Sequence, residues 1–318
     1  MHFDVFNGDA DGIIALVQLR LAQPKKSVLV TGVKRDISLL EQVDSKQASS
    51  VTVLDISLEK NIDALQNLLN DKVEIFYVDH HRTGEIPVSK YLTTHINTDP
   101  NTCTSLLVNE YLQGKYVYWA IAAAFGDNMH QAARELAHQH GLNKTQQDHL
   151  EALGVYVNYN GYGRSVDDLH FHPAKLFELL LNYENPFTLI DDKSSVFTSL
   201  ETAYQEDMSK AASAQILYSS EKCKVVLLDD APWSRRVSGV YGNELANNAP
   251  ESAHAVLTLN TDSTYTVSVR APLSNKQGAD IICSQFPTGG GRAAAAGVNK
   301  LPQEMLEGFI QVLSQYYQ

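Results

Sequence analysis

Short runs of β-branched and aromatic residues alternate with helical stretches through the first part of this chain, and this alternation limits the fold more than any other feature. Strand-like runs separated by helices are typical of parallel sheets covered by helices. We therefore predict an α/β fold with a doubly wound, mostly parallel amino-terminal sheet. The predicted strands are Phe3–Phe6, Val28–Val30, Val51–Leu54 and Val73–Val78, and the predicted helices are Ile13–Ala22, a segment after Asp36, and Ile62–Leu69.

Acidic residues fall where these predicted strands end. Asp9 lies just beyond the first strand, Asp55 follows the run VTVL, and Asp79 follows the run VEIFYV. Open α/β sheets bind their ligands beyond the carboxyl ends of their strands. We therefore expect these three carboxylates to lie near a ligand.

The stretch NGDADGI, residues 7–13, has two interpretations. Asn7, Asp9, Asp11 and Gly12 fit the first, third, fifth and sixth positions of an EF-hand calcium loop. The twelfth position falls on Gln18, whose amide cannot supply the bidentate carboxylate of such a loop. The preceding residues indicate a strand rather than an entering helix, so we favour a site that binds catalytic metals.

Composition excludes several classes of function. The net charge of -12 and the pI near 5.3 argue against binding along long nucleic acid, which needs a broad basic surface. No apolar run reaches membrane-spanning length and the amino terminus lacks a signal-peptide pattern, so we expect a cytoplasmic protein with no membrane partner. Three widely separated cysteines indicate neither a disulfide framework nor a cysteine zinc cluster.

The stretch YVDHHRTGEIP, residues 77–87, carries two adjacent histidines at a predicted strand end. Adjacent side chains point in different directions, so His80 and His81 can serve two tasks, one at a metal and one at a substrate. Asp79 can hydrogen-bond a ring nitrogen and fix its tautomer. Alone, this triplet could be a surface accident, although the functional interpretation is favoured.

Co-occurrence of the acidic and histidine motifs strengthens the metal hypothesis. The motifs with Asp9 and Asp11, Asp55, His80 and Asp127 follow one another along the chain. Carboxylates with one or two imidazoles and no cysteine suit Mn²⁺ or Mg²⁺ better than structural zinc. Two cations would relieve the repulsion among converging carboxylates and form a clamp for in-line attack on phosphorus.

The carboxyl-terminal part carries a second motif, FPTGGGRAAAAG, residues 286–297, preceded by the run SVRAP. Glycines that open onto an alanine-rich helix would bring backbone N–H groups close to an anion. AVLTLNTDSTYTVSVR predicts an antiparallel hairpin before it. The predicted substrate-binding residues are Ser268, Arg270, Gly289, Gly290, Gly291 and Arg292.

Together these motifs resemble the DHH phosphoesterase superfamily with its DHH-associated carboxyl-terminal domain, over nearly the whole chain. The first motif is similar to the RecJ-type version, with Asn7 where that version has its leading acid, which predicts a weaker first metal site. GGGRAAAAG resembles the GGGHxxAAG element of the family, with Arg292 in place of the histidine; arginine can hold phosphate bidentately.

The resemblance implies a role for each motif residue. Asp9 would bind one metal and Asp11 the other, with Asp55 bridging both, and His80 and Asp127 would complete the second site. His81 would face the scissile phosphate or leaving oxygen, and Asp79 would orient the two histidines. The implied catalytic residues are therefore His81, Asp79 and Asp55, and the implied cofactor is Mn²⁺, two ions per site, with Mg²⁺ as an alternative.

The resemblance also implies an organisation and an activity. We expect a catalytic metal-binding domain at residues 1–190, a linker helix at 191–215 and a smaller α/β substrate-binding domain at 216–318, with the active site in the cleft between the domains. The expected activity is that of a nanoRNase, an exonuclease-like hydrolase that releases nucleoside monophosphates from short oligonucleotides, with a homodimer as a possible assembly. A cyclic-dinucleotide or pAp phosphoesterase, a pyrophosphatase or polyphosphatase, and a nucleotide-binding sensor without turnover stay open as alternatives.

Overall fold

The computed structural model describes residues 1–318 as two compact units, Met1–Ala203 and Tyr204–Gln318. The helix Val196–Ala211 spans the division between them. No helix combines the length and the apolar character that crossing a membrane requires.

The first unit is built on a five-stranded sheet in which all neighbouring strands run parallel. The prediction of a parallel, doubly wound sheet is thus confirmed. The strand order is β2-β1-β3-β4-β5. The strands are β1 (His2–Phe6), β2 (Val28–Val30), β3 (Ser50–Leu54), β4 (Glu74–Asp79) and β5 (Leu92–Ile96).

The fifth strand was not predicted from the sequence. Its run LTTHI has no fully buried residue, because β5 forms an edge of the sheet beside β4. A short polar run of this kind lacks the apolar signal that marks the inner strands. Pairing of β5 therefore depends on hydrogen bonding to β4 rather than on an apolar pattern of its own.

Helices cover both faces of this sheet, so that apolar side chains of the strands pack into two separate clusters. The segment predicted to be helical after Asp36 is only a short 3-10 turn, Leu39–Gln42. The helices of this unit, including the one that leads into the second unit, are α1 (Ala10–Ala22), α2 (Ile62–Asn70), α3 (Thr104–Tyr111), α4 (Val117–Gly126), α5 (His130–Gln139), α6 (Lys144–Asn160), α7 (Pro173–Leu180), α8 (Pro186–Asp191) and α9 (Val196–Ala211).

The second unit contains a six-stranded mixed sheet of order β10-β11-β9-β8-β7-β6. The predicted hairpin is confirmed, since β8 and β9 pair antiparallel. The strands are β6 (Gln215–Ser219), β7 (Cys223–Leu228), β8 (Ala253–Leu259), β9 (Tyr265–Arg270), β10 (Gly289–Gly291) and β11 (Ala295–Leu301), and the helices are α10 (Pro232–Asn248), α11 (Ala279–Cys283) and α12 (Leu306–Tyr316).

The prediction of a helix after the glycine triplet is wrong. Gly289–Gly291 forms the edge strand β10, and the alanine-rich run continues into β11, which pairs antiparallel with both β10 and β9. The helix propensity of alanine is a weak preference that the ladder on both sides of β11 overrides. The argument for an anion site at a helix amino terminus therefore does not apply here.

Candidate metal centre

The candidate site lies where the order of the parallel strands reverses. The chain passes from β1 outward to β2 and then back across to β3, which places the switch point between β1 and β3. Sheets of this order bind ligands in the crevice that forms there, beyond the carboxyl ends of the strands. Asp9 follows β1 and Asp55 follows β3, so both carboxylates stand at that crevice.

Asp9 is the amino-terminal cap of α1. One carboxylate oxygen, Oδ1, accepts the backbone N–H groups of Asp11 at 3.0 Å and Gly12 at 3.1 Å. The other oxygen, Oδ2, lies 2.5 Å from the Nζ atom of Lys34. Burial alone would raise the pKa of Asp9, but the ion pair with Lys34 and these hydrogen bonds outweigh it and lower that pKa.

Asp11 lies in the first turn of α1 and is held by the start of α3. Its oxygens Oδ2 and Oδ1 accept the backbone N–H groups of Thr104 and Ser105, each at 2.7 Å. Burial raises the pKa of Asp11, and the carboxylates of Asp127 and Asp9 raise it further.

Asp55 has a left-handed backbone conformation, with φ of 59°. Aspartate tolerates this conformation better than most residues, and strained backbone of this kind tends to occur at functional sites. Thr104 donates its hydroxyl to Oδ1 of Asp55 at 3.3 Å. The pKa of Asp55 is raised well above its ordinary value, first by burial and then by the nearby carboxylates of Asp11 and Asp9.

His80 has a ring whose tautomer is fixed by the backbone. Its Nδ1 lies 3.0 Å from the carbonyl oxygen of Thr102, which can only accept, so Nδ1 carries the proton. Its Nε2 then offers a lone pair and lies 3.5 Å from Oδ1 of Asp55 and 3.9 Å from Oδ2 of Asp11. This is the arrangement of a metal-binding histidine, in which the other ring nitrogen donates to a carbonyl.

His81 is held by Asp79, whose Oδ1 lies 2.7 Å from Nδ1 of the ring. Burial would lower the pKa of His81, but the hydrogen bond to Asp79 and the charge of Asp55 raise it. The sequence predicted that Asp79 orients both histidines. In the structure it orients His81, while the carbonyl of Thr102 takes that role for His80.

Asp127 follows the last residue of α4, and close packing of small residues brings it to the strand ends. A Cβ atom added to Gly126 would lie 2.6 Å from Cβ of Ala10 in α1, and one added to Gly154 in α6 would lie 1.9 Å from the carbonyl oxygen of Ala122. The run AIAAAFG therefore lets α4 pass close to α1 and α6. As a result Asp127 reaches the carboxylates of the first motif.

The residues predicted as ligands of the second metal do come together. Asp11, His80 and Asp127 each offer a ligand atom, and these atoms all lie within 4.8 Å of one another. Asp55, His80 and His81 form another such group, but His81 uses its nearer nitrogen, Nδ1, to bind Asp79.

A divalent cation fits this donor set. Oδ2 of Asp127 is buried and has no hydrogen-bond partner, although buried polar atoms are rarely left unpaired. Burial and mutual repulsion disfavour the ionised forms of Asp11 and Asp55, which positive charge would relieve. Carboxylate oxygens with one imidazole suit Mn²⁺ or Mg²⁺.

Sequence reasoning missed two residues of this site, Lys34 and Asn158. Lys34, in the loop after β2, places Nζ 2.5 Å from Asp9, 3.2 Å from Oδ1 of Asn158 and 3.7 Å from Oδ1 of Asp127. Its pKa, which burial would lower, is raised well above the ordinary value by Asp9, Tyr162 and Asp127. Neither residue belongs to a motif, and Asn158 lies in the last turn of α6.

The predicted substrate-binding residues of the second unit lie on neighbouring strands. Gly290 pairs with Gly297, and Gly297 pairs with Ser268, so β10, β11 and β9 bring them into one row. Arg270 is held within this unit: it donates to Oδ1 of Asn243 at 2.6 Å, to the hydroxyl of Ser268 at 3.0 Å and to the carbonyl of Gly239 at 3.1 Å.

Arg292 lies at the tip of the turn that joins β10 to β11. Its backbone N–H donates to the carbonyl of Ala295 at 2.9 Å, and its side chain is exposed. Gly290 has open space where a side chain would stand, on a strand at the edge of the sheet. An exposed backbone edge beside an exposed arginine can still approach an anion without a helix terminus.

The sequence matches no protein-family profile and no curated protein. Solved structures with the same fold do exist. A DHH domain described as belonging to a family of ribosomal proteins has a TM-score of 0.62 at 14% identity, over 99% of this chain and 86% of that one. The exonuclease RecJ bound to manganese has a TM-score of 0.62 at 15% identity, over 99% of this chain and 90% of that one. The pGpG-specific phosphodiesterase PggH from Vibrio cholerae has a TM-score of 0.56 at 12% identity, over 100% of this chain and 99% of that one. The chain therefore has the fold of DHH-domain proteins.

Proposed function

We propose that this chain is a phosphoesterase dependent on a divalent cation, which hydrolyses short oligonucleotides to nucleoside monophosphates. The observation that carries the proposal is the convergence of Asp11, Asp55, His80 and Asp127 at the switch point of the parallel sheet, with His81 beside them. The structures of RecJ and PggH with the same fold are those of enzymes that act on phosphodiester bonds.

Asp11, Asp55, His80 and Asp127 are the residues that would hold the cation. A bound divalent cation supplies a Lewis acid that polarises a phosphoryl oxygen and lowers the pKa of water. Hydrogen bonds within the protein orient two of these ligand groups before a cation binds. The backbone N–H groups of α3 fix the carboxylate of Asp11, and the carbonyl of Thr102 keeps the lone pair of His80 on Nε2.

His81 would act on the substrate as a proton donor. Asp79 accepts from Nδ1 and, with the charge of Asp55, raises the pKa of the ring, which favours a proton on Nε2. That proton can be donated to a phosphate oxygen or to the departing oxygen of the ester. The side chain of His81 is 40% exposed, so a substrate can reach it.

A short substrate is favoured by charge. The net charge of -12 leaves little capacity to neutralise a long phosphate backbone. We propose that the row formed by Ser268, Gly290 and Gly297, with the exposed Arg292, receives the terminal nucleotide. The dinucleotide pGpG, for which PggH is specific, belongs to the same size class.

A sensor without turnover is the second candidate. It is favoured by Asn7, an amide in place of the leading acid of the motif, and by the ion pair of Asp9 with Lys34, which engages a predicted metal ligand. A protein of this kind would bind a nucleotide and release no product.

One assay separates these functions. Purified protein is incubated in Mn²⁺ with end-labelled RNA and DNA of graded length, cyclic dinucleotides, pAp and polyphosphate, with Asp55→Ala as control. We expect mononucleotide release from the shortest chains and none from the control. Binding of a dinucleotide without product would support the sensor, and phosphate release from polyphosphate alone would redirect the assignment.

A further inference from the structure

The position beside Asp9 already holds a positive charge. Nζ of Lys34 lies 2.5 Å from Oδ2 of Asp9, accompanied by Oδ1 of Asn158 at 3.2 Å and Oδ1 of Asp127 at 3.7 Å. An oxygen-rich pocket of two carboxylates and an amide is also what a hard cation would select. The ammonium group is thus surrounded by oxygen atoms of the kind that bind a hard cation.

The ammonium and a metal ion would compete for this position. Mg²⁺ sits about 2.1 Å from a carboxylate oxygen, close to where Nζ stands relative to Asp9. The other oxygen of Asp9 is already used, because it accepts the backbone N–H groups of Asp11 and Gly12. A cation could therefore bind Asp9 at Oδ2 only if Lys34 moved away.

The backbone of Lys34 is anchored, which fixes the point from which its side chain reaches Asp9. Its N–H donates to the carbonyl oxygen of Gly161 at 2.8 Å, and its own carbonyl accepts the side-chain amide of Asn7 at 3.3 Å. Gly161 cannot carry a side chain without crowding, since an added Cβ atom would lie 2.9 Å from the carbonyl oxygen of Gly8. Asn7 can make this bond because an amide donates, which a carboxylate cannot do.

We propose that the Lys34 ammonium is a built-in replacement for one of the two cations that the resemblance implies, so that the protein binds one divalent cation per chain, at Asp11, Asp55, His80 and Asp127. Asn7 is then a positioning residue for Lys34 rather than a weak metal ligand. The inference rests on the proposed function for its chemistry, but it concerns the number of ions bound.

This replacement has a chemical consequence. An ammonium group has three N–H donors, and Asp9 and Asn158 engage two of them. The third can meet a phosphate oxygen, since the side chain of Lys34 is 26% exposed. Lysine binds phosphate as a point charge, so it can supply attraction where a second ion would otherwise bridge to the substrate.

The test counts ions without relying on activity. Manganese bound per chain is measured by elemental analysis after gel filtration and by titration followed by electron paramagnetic resonance. We expect one Mn²⁺ per chain in the unmodified protein and in Lys34→Arg, with the hyperfine pattern of an isolated ion. We expect two ions with the signal of a coupled pair in the double variant Asn7→Asp with Lys34→Met, which restores the acid of the motif and removes the ammonium.

Each other outcome overturns the inference. Two coupled ions in the unmodified protein would show that Lys34 yields its place to a metal. One ion in the folded double variant would show that Lys34 is not what keeps the second ion out. No bound ion in any variant would refute the proposed function as well. The number of Mn²⁺ ions per chain distinguishes this result from the first two. Should the double variant fail to fold, the single variant Lys34→Met replaces it, and one ion bound to that variant would likewise overturn the inference.

Discussion

His81 donates its Nδ1–H to Oδ1 of Asp79 across 2.7 Å, and this carboxylate is completely buried at the end of β4. Oδ2 of Asp79 has no hydrogen-bond partner, so this carboxylate makes its side-chain hydrogen bond through Oδ1 to His81. A buried carboxylate whose partner is an exposed imidazole serves to orient that ring and to favour its charged form.

Replacing Asp79 by asparagine should impair turnover through His81. We expect Asp79→Asn to lower kcat at least about 10-fold, because loss of an orienting partner typically costs 10–100-fold. Manganese affinity should stay close to that of the unmodified protein, since Thr102 rather than Asp79 orients His80. The double variant Asp79→Asn with His81→Gln should be no slower than His81→Gln alone. Independent, additive losses in the two single variants would contradict this coupling.

Replacing Asp55 should separate stability from activity. We expect Asp55→Asn to lower turnover by more than about 100-fold, since even an outer partner of a metal ligand costs 10–100-fold. The metal-free fold should become more stable, because the raised pKa of Asp55 means that its ionised form destabilises the folded state near neutral pH. Thermal unfolding in chelator would show a higher Tm. The gain from saturating Mn²⁺, about 2.7 kcal/mol at a hundred times Kd, should disappear.

Asp55→Ala is the matched comparison. Asparagine tolerates the left-handed backbone at φ of 59°, whereas alanine there adds about 1–2 kcal/mol of strain. Asp55→Ala should therefore be less stable than Asp55→Asn, with both inactive. If Asp55→Asn in chelator melts below the unmodified protein, repulsion of Asp55 by Asp11 and Asp9 does not destabilise the metal-free fold.

Arg292→Ala tests the proposed anion-binding edge of the second unit. A hydrogen bond to a charged group is worth about 1.5–3 kcal/mol, so we expect KM to rise about 10-fold or more with kcat little changed. Because the side chain of Arg292 is exposed, Tm should not change. Arg270→Ala should instead lower Tm, since it removes hydrogen bonds to Asn243, Ser268 and Gly239. An unchanged KM in Arg292→Ala would show that this edge does not hold the substrate.

Asp4 should make part of the stability of the first unit depend on pH. Asp4 in β1 accepts from Arg20 of α1 at 2.9 Å and from Ser27 at 2.6 Å. Burial raises its pKa, but hydrogen bonds to Arg20 and His2 prevail and lower it to about 2. A lowered pKa stabilises the fold above the unfolded value of 3.8, and this contribution, about 2 kcal/mol, is lost as the pH falls toward 2.

Chemical denaturation at graded pH checks this expectation. Asp4→Asn should cost about 3–5 kcal/mol near neutral pH, because it leaves Arg20 as an unpaired buried charge. Its free energy of unfolding should also fall less steeply between pH 4 and 2 than that of the unmodified protein. Equal slopes in the two proteins would mean that Asp4 does not titrate as described.

Much of the fold could be predicted from local sequence. The predicted strands ending at Phe6, Leu54 and Val78 have short, β-branched apolar runs that fit buried parallel strands, and an acid after each then lies along one edge of the sheet. The antiparallel hairpin of β8 and β9 was likewise predictable from two apolar runs around NTDST. The glycine triplet was not, because its local preference and its sheet environment disagree.

What the sequence by itself determined is the chemical type of the site: carboxylates at strand ends, which suit a hard cation, with a histidine pair beside them. Only the tertiary structure decided which groups meet there. Asn158 reaches Lys34 across 124 residues of chain, and a lone lysine in a loop carries no periodic or motif signal. The physical reason is that charge pairing in a buried crevice depends on distances of a few ångströms. Those distances are set when α4 and α6 pack together at Gly126 and Gly154. Sequence patterns report only which face or end of an element a residue occupies.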